Sequence, residues 1–153
     1  MKLAEALLLR ADLQKKLGSL QTRAQKYTVV QEGERPAEDP NEVLREVSAV
    51  AGQLHRLVFA INATNLRHTV ASGETITEAL ARRDSLTLQH RVLVGVVDSC
   101  AKPVERYGVK EIRWVVTVDV PTLHRQIDET AKQIRELNAA IQEVGWRVEI
   151  AEH

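Results

Sequence analysis

In three stretches of this chain, largely apolar residues recur at alternating intervals of three and four, a fourth keeps a looser helical row, and few folds can accommodate that pattern. A helix turns once every ~3.6 residues, so such a series lines up on one face and has to be buried against another element. In the first stretch the series is Leu3, Ala6, Arg10, Leu13, Leu17, Leu20, Ala24 and Tyr27. It predicts a helix over about 2–31, with Arg10 alone out of character on the seam. A polar segment over 32–39, EGERPAED, carries Gly33 and Pro36 and reads as a connecting loop. Asp39 then suits an N-cap, Pro40 a first helical position, and Glu42 the far corner of a capping box. The second stripe follows as Leu44, Val47, Ala51, Leu54, Val58, Ile61 and Asn65, widened by Val43, Val50 and Leu57.

Between the second and third stripes, the β-branched pieces of 67–76 flank Ser72-Gly73 and predict a small hairpin. Thr75 and Glu78 form a second capping-box pattern. The third helix is expected to run to about Ala101 on an inner row of Ile76, Ala79, Leu80, Leu86, Leu93, Val97 and Cys100, ended by Lys102-Pro103. Around Ile112, Trp114, Val116 and Val118 the period falls to two, so 109–118 reads as β-like, and so does 146–150 through Trp146, Val148 and Ile150. Between them Asp119 is the cap of a fourth helix whose seam is Val120, Leu123, Ile127, Thr130, Ile134, Leu137, Ile141 and Val144, with Gly145 marking its end.

These readings predict a mainly α fold: an elongated antiparallel bundle of four long helices, one domain over 1–153, with a small β element near one end. Composition agrees. Aromatic residues are 3% of the chain and hydrophobic residues 44%, so an aliphatic core of Leu, Val, Ile and Ala is implied. Lys and Arg total 21 against 21 Asp and Glu, leaving no positive excess to hold nucleic acid or an anionic membrane. No stretch reaches the ~20 apolar residues of a membrane span. One cysteine, Cys100, cannot form an internal disulfide and fits a reducing compartment, so a cytoplasmic protein is expected.

The candidate site is a set of polar residues placed by periodicity on or beside inner seams: Arg10, Asn62, Asn65, Arg83, Asp84 and His90. A buried guanidinium needs a partner, so these residues are either register-setting polar core or a pocket for a small anionic ligand, with Asp84 orienting an arginine. The histidines at 55, 68, 90, 124 and 153 lack the i, i+4 spacing of a helical metal site, so no metal is expected. No phosphate-cradling glycine loop or nucleophile elbow occurs, so neither a cofactor nor an enzymatic role is expected. Cys100, on an apolar helix face, reads as a packing thiol.

The blocks MKLAEALLLRADLQKKL, QEGERPAEDP, INATN at 61–65, ITEALARRDSL at 76–86 and VTVDVPTLHRQIDETAKQIRELNAAIQEVGW at 116–146 together resemble the septicolysin-like family of small bacterial helical proteins. That resemblance implies a helical fold and, through the family's name alone, a pore-forming or cytolysin-like activity; it brings no catalytic residues. The residues themselves favour a non-enzymatic, self-associating scaffold or interaction protein, a homo-oligomer whose widened stripes are covered by other copies. A small-molecule or anion-binding protein is the alternative. The long paired helices also resemble the N-terminal arm of seryl-tRNA synthetases, an implication that the neutral net charge opposes.

Overall fold

The computed structural model describes residues 1–101 and 115–151. Its four helices among those residues are α1 (Leu3–Lys26), α2 (Pro40–Arg67), α3 (Ile76–Cys100) and α4 (Val120–Arg147), so the protein is mainly α. By contacts it divides into two compact units: Met1–Thr77 with Gln142–His153, and Glu78–Ile141. Lys102-Pro103 and residues 109–114 of the β-like segment lie outside the described residues.

In the first unit the seam predicted for α1 is the buried one: Leu3, Ala6, Leu13, Leu20 and Ala24 are covered, and Arg10, Leu17 and Tyr27 are half-buried. The helix stops at Lys26, short of the expected 31. Beyond Tyr27 come Thr28, Val29 and Val30, whose β-branched side chains lose rotamer freedom in a helix. In the connection to α2, Gly33 takes φ +89°, a left-handed conformation that glycine adopts without steric penalty. Asp39 caps α2 as expected, its carboxylate accepting from the Asn41 N–H at 2.9 Å. The capping box does not form, because Glu42 reaches forward to Arg45 at 3.3 Å.

α1 and α2 pack together, and their antiparallel sense is shown by Lys16 meeting Glu46 while Arg23 meets Glu38. The covered face of α2 differs from the expected stripe. Val43, Val50, Leu57, Ala60, Ile61 and Thr64 are buried, whereas Leu44 and Ala51 are exposed and Val47, Leu54, Val58 and Asn65 are half-buried. The rows one position apart, 43–50–57–64 and 44–51–58–65, lie ~100° apart on a helix, and contact with α1 selects the first. Burying a side chain such as Leu20 or Ile61 contributes about 1.5–3 kcal/mol.

The 67–76 hairpin appears as a tight turn closed by one isolated antiparallel bridge, Thr69 to Thr75. The Val70 N–H donates to Glu74 O at 2.9 Å, the Ile76 N–H donates to His68 O at 2.9 Å, and Gly73 sits at φ +90°. The turn pushes Val70 and Ile76 into the core of the first unit. The segment expected to be extended over 146–150 begins later, since Trp146 still belongs to α4. Its Glu149 bridges Lys2, with the Leu3 N–H donating to Val148 O at 2.9 Å and the Ile150 N–H to Met1 O at 3.0 Å. Gly145 does not end α4. The helix runs through it, and a Cβ there would lie 3.8 Å from the Ala4 Cβ. No strand occurs among the described residues, and 115–118 is not one.

In the second unit the predicted rows hold as rows of lower exposure. Ala79 is buried, Leu80, Leu86, Leu93 and Val97 of α3 are half-buried, and Thr130 and Leu137 of α4 are covered between half-buried Leu123, Ile127, Ile134 and Ile141. Asp119 caps α4, its carboxylate accepting from the Thr122 N–H at 3.2 Å and the Thr122 hydroxyl at 2.6 Å.

Candidate functional site

The predicted polar cluster falls into separate settings. On α1, Arg10 is half-buried and its Nε is fully covered without a hydrogen-bond partner. On α2, Asn62 faces solvent rather than an inner seam, and Asn65 is half-buried. The α3 residues Arg83 and His90 are half-buried and Asp84 is exposed. Only Arg83 and Asp84 are brought together, with Arg83 Nη2 donating to Asp84 Oδ1 at 2.7 Å and Nε donating to the same oxygen at 3.0 Å. This pair is adjacent in sequence, and Asp84 takes up donors that a free anion would use. The covered seam positions that are polar are Thr64 and Thr130, and each satisfies itself by donating to a carbonyl four residues back, Ala60 O at 2.8 Å and Gln126 O at 2.7 Å.

An electrostatic cluster joins α1, the loop before α2, and α2 itself. Arg23 pairs with Glu38 and stands 3.8 Å from Glu46, which Lys16 holds at 2.8 Å. Hydrogen bonding from Arg23 keeps the Glu38 carboxyl below the ordinary carboxylate range, and Lys16 does the same for Glu46. At α4 the two bonds from Thr122, hydroxyl first, lower Asp119 likewise. Glu38 and Glu46 are half-buried and their cationic partners exposed, so the pairs tie the loop to the helices and add little net stability.

Two concavities accompany these groups. A groove of about 680 Å³ between α1 and α2 is lined by Gln14, Leu17, Gly18, Gln21, Leu44 and Val47 among others, with no charged side chain in its wall. Periodicity had a signal for it: one position after the core seam of α1 runs a second three-four row, Ala4, Leu7, Ala11, Gln14, Gly18, Gln21, Gln25 and Thr28, uncharged throughout. In the second unit, Gln89 of α3 and Arg125, Gln126 and Glu129 of α4 border a shallow polar pocket of about 390 Å³, where Arg125 donates to the Thr122 hydroxyl at 2.6 Å. Among the described residues no group of three or more His, Cys, Asp or Glu is placed to hold a metal ion. No described helix is long and apolar enough to cross a membrane.

Fold and surface define a mainly α protein whose prominent concavity is uncharged and whose polar groups pair chiefly with one another. Residues 10–150 match the model of DUF6847, a family of unknown function, and the chain belongs to that family. A crystal structure of a functionally unknown conserved protein from Corynebacterium diphtheriae is similar over 99% of this chain and 99% of its own, with 33% sequence identity and a TM-score of 0.89. No curated protein matches the chain. The septicolysin-like resemblance is therefore corrected: the family shown is DUF6847, and the cytolysin implication falls with the resemblance. The blocks that suggested it are largely amphipathic-helix patterns, which unrelated helical families share.

Proposed function

We propose that this protein is a non-enzymatic helical scaffold that works as a homo-oligomer in a reducing, cytoplasmic setting. The observation that carries this reading is the large apolar side chains left standing on its helices: Leu8, Phe59, Leu66, Leu88, Val92 and Trp146 are each more than half exposed. Surfaces of that kind are most directly covered by another copy. The expected antiparallel bundle, with its small β element, belongs to the same reading, as the form the helices take in the assembly. Light scattering at tens of micromolar tests it. A mass of two or more chains is expected, and the mass of one chain contradicts it.

A small-anion reading has one observation in its favour, the covered and unpartnered Nε of Arg10. Thermal unfolding with and without inorganic phosphate separates the two. A phosphate-dependent rise that is lost in Arg10→Met supports the anion site, and no rise leaves the scaffold alone.

A further inference from the structure

The uncharged groove of the first unit and Arg10 lie on one line of α1. Leu17 and Ala24, which line the groove, continue at intervals of seven the row that begins with Leu3 and Arg10. Residues at that interval share nearly the same side of a helix, two turns apart. The wall of the groove begins at Gln14, one turn after Arg10, so Arg10 stands on the same row just beyond its end. Its Nε is covered and meets no acceptor. A covered donor of that kind costs free energy until an acceptor arrives, and a charged one takes an anionic acceptor best.

Past this cation the surroundings change. The groove follows α1 from Gln14 to Thr28, about 21 Å at 1.5 Å per residue. Its volume is about 680 Å³, its wall carries no charge, and Leu44 and Val47 of α2 line it with Leu17. Small-molecule sites have volumes of this order and linings of this kind, mostly apolar with a few polar groups, which Gln14 and Gln21 supply here. A free inorganic anion would answer the arginine and leave the apolar wall in water. A neutral oil would cover the wall and leave the Nε without an acceptor. A molecule with one carboxylate at its end and an unbranched apolar chain behind it does both: its oxygens accept from the guanidinium, and its chain displaces water from the leucines and Val47.

We propose that this groove binds a single-chain amphiphilic acid of the fatty-acid class, with its carboxylate at Arg10 and its chain running along α1 toward Thr28. The proposal rests on the anion reading of Arg10 given above and names the ligand class. Titration calorimetry with laurate, kept below the concentration at which it forms micelles, tests it. Acetate serves as the head alone, dodecanol as the tail alone and inorganic phosphate as the free anion. Laurate should bind the wild type more tightly than any of the three. Arg10→Met should weaken laurate by about 10- to 100-fold, the loss of a hydrogen bond to a charged group. Gly18→Leu fills the groove at a position where a Cβ meets nothing within 4 Å, so the helix is kept while the chain loses its room. In that variant, with helicity confirmed by circular dichroism, laurate should fall to the affinity of acetate and phosphate should be unchanged. If laurate binds no better than acetate while phosphate binding depends on Arg10, the anion reading stands and the amphiphile falls. If laurate binds both variants as it binds the wild type, it adsorbs elsewhere and the proposal falls. Absence of binding by laurate and phosphate alike removes both.

Discussion

The two units use the same kind of helix and bury it to different depths. α2 and α4 are each 28 residues long and amphipathic. In the first unit Val43, Val50, Leu57, Ala60 and Ile61 of α2 are buried, together with Leu3, Leu13, Leu20, Val70, Ile76, Val144 and Ile150. Among the described residues of Glu78–Ile141 the buried apolar side chains are Ala79 and Leu137. α4 is as regularly amphipathic as α2, but the inner row of α3 is interrupted by Arg83 and His90, so the difference lies in the weaker stripe of α3 as well as in the supply of partners. In the first unit a turn that inserts Val70, a terminal segment that inserts Ile150 and the end of α4 close over α1 and α2. Among the described residues, most seam positions of the second unit stop at half burial, so less of the hydrophobic driving force is realised there than in the first.

The largest effect that can break this comparison is a cavity in the first unit. Leu20→Ala or Ile61→Ala should destabilise by about 2–5 kcal/mol, because the covered methyl groups leave a void that the packed neighbours do not refill. Leu88→Ala, made below the concentration at which copies associate, should stay within ~0.5 kcal/mol of wild type. Denaturant unfolding measures both, and equal losses in the two units would dissolve the contrast. Arg10→Met sharpens it from the other side. Removing a covered donor without a partner should raise stability by about 1–2 kcal/mol, with the apolar side chain filling the same seam position.

A smaller gain is expected at Gly145. A methyl group there finds an ordinary 3.8 Å contact with Ala4, so Gly145→Ala should stabilise α4 by about 0.5–1 kcal/mol through helix propensity. A thermal midpoint that falls would show that the approach of α1 and α4 is tighter than this geometry. The smallest effect is on pH dependence. Glu38, Glu46 and Glu149 of the first unit, and Asp119 of the second, all titrate below the ordinary carboxylate range when folded. The contribution of a carboxyl group lowered in this way is complete above its unfolded value and is lost as pH falls through its folded value. Stability should therefore decline on acidification from neutral pH toward about pH 3. Glu38→Gln with Glu46→Gln should flatten that decline more than Asp119→Asn does, as read by unfolding midpoints across the range.

Most of the fold was legible because periodicity reports burial directly. The seams of α1 and α4, the Asp39 and Asp119 caps, and the turn around Gly73 were all read from spacing and local chemistry. The face of α2 was not, because its rows at 43–50–57–64 and 44–51–58–65 are both uncharged, and only contact with α1 decides between them. Gly145 misled because a helix-ending glycine and a helical glycine look alike without knowledge of what lies beside them. Trp146 was read as extended from a period of two over too few residues to exclude one more helical turn. The polar cluster was the least legible part. Seam positions such as Arg83 are inward only to the depth their unit is covered, and Asn62 lies a full step off the face that α2 buries.

If the second unit completes its burial only when copies meet, amide hydrogen exchange at two protein concentrations will show it. Backbone amides between Ala81 and Ser99 should exchange more slowly as the concentration rises from below to above the association range, while those of α1 and α2 keep the same protection at both. Protection over Ala81–Ser99 that does not change with concentration, in a sample whose scattering mass does not change either, would contradict it.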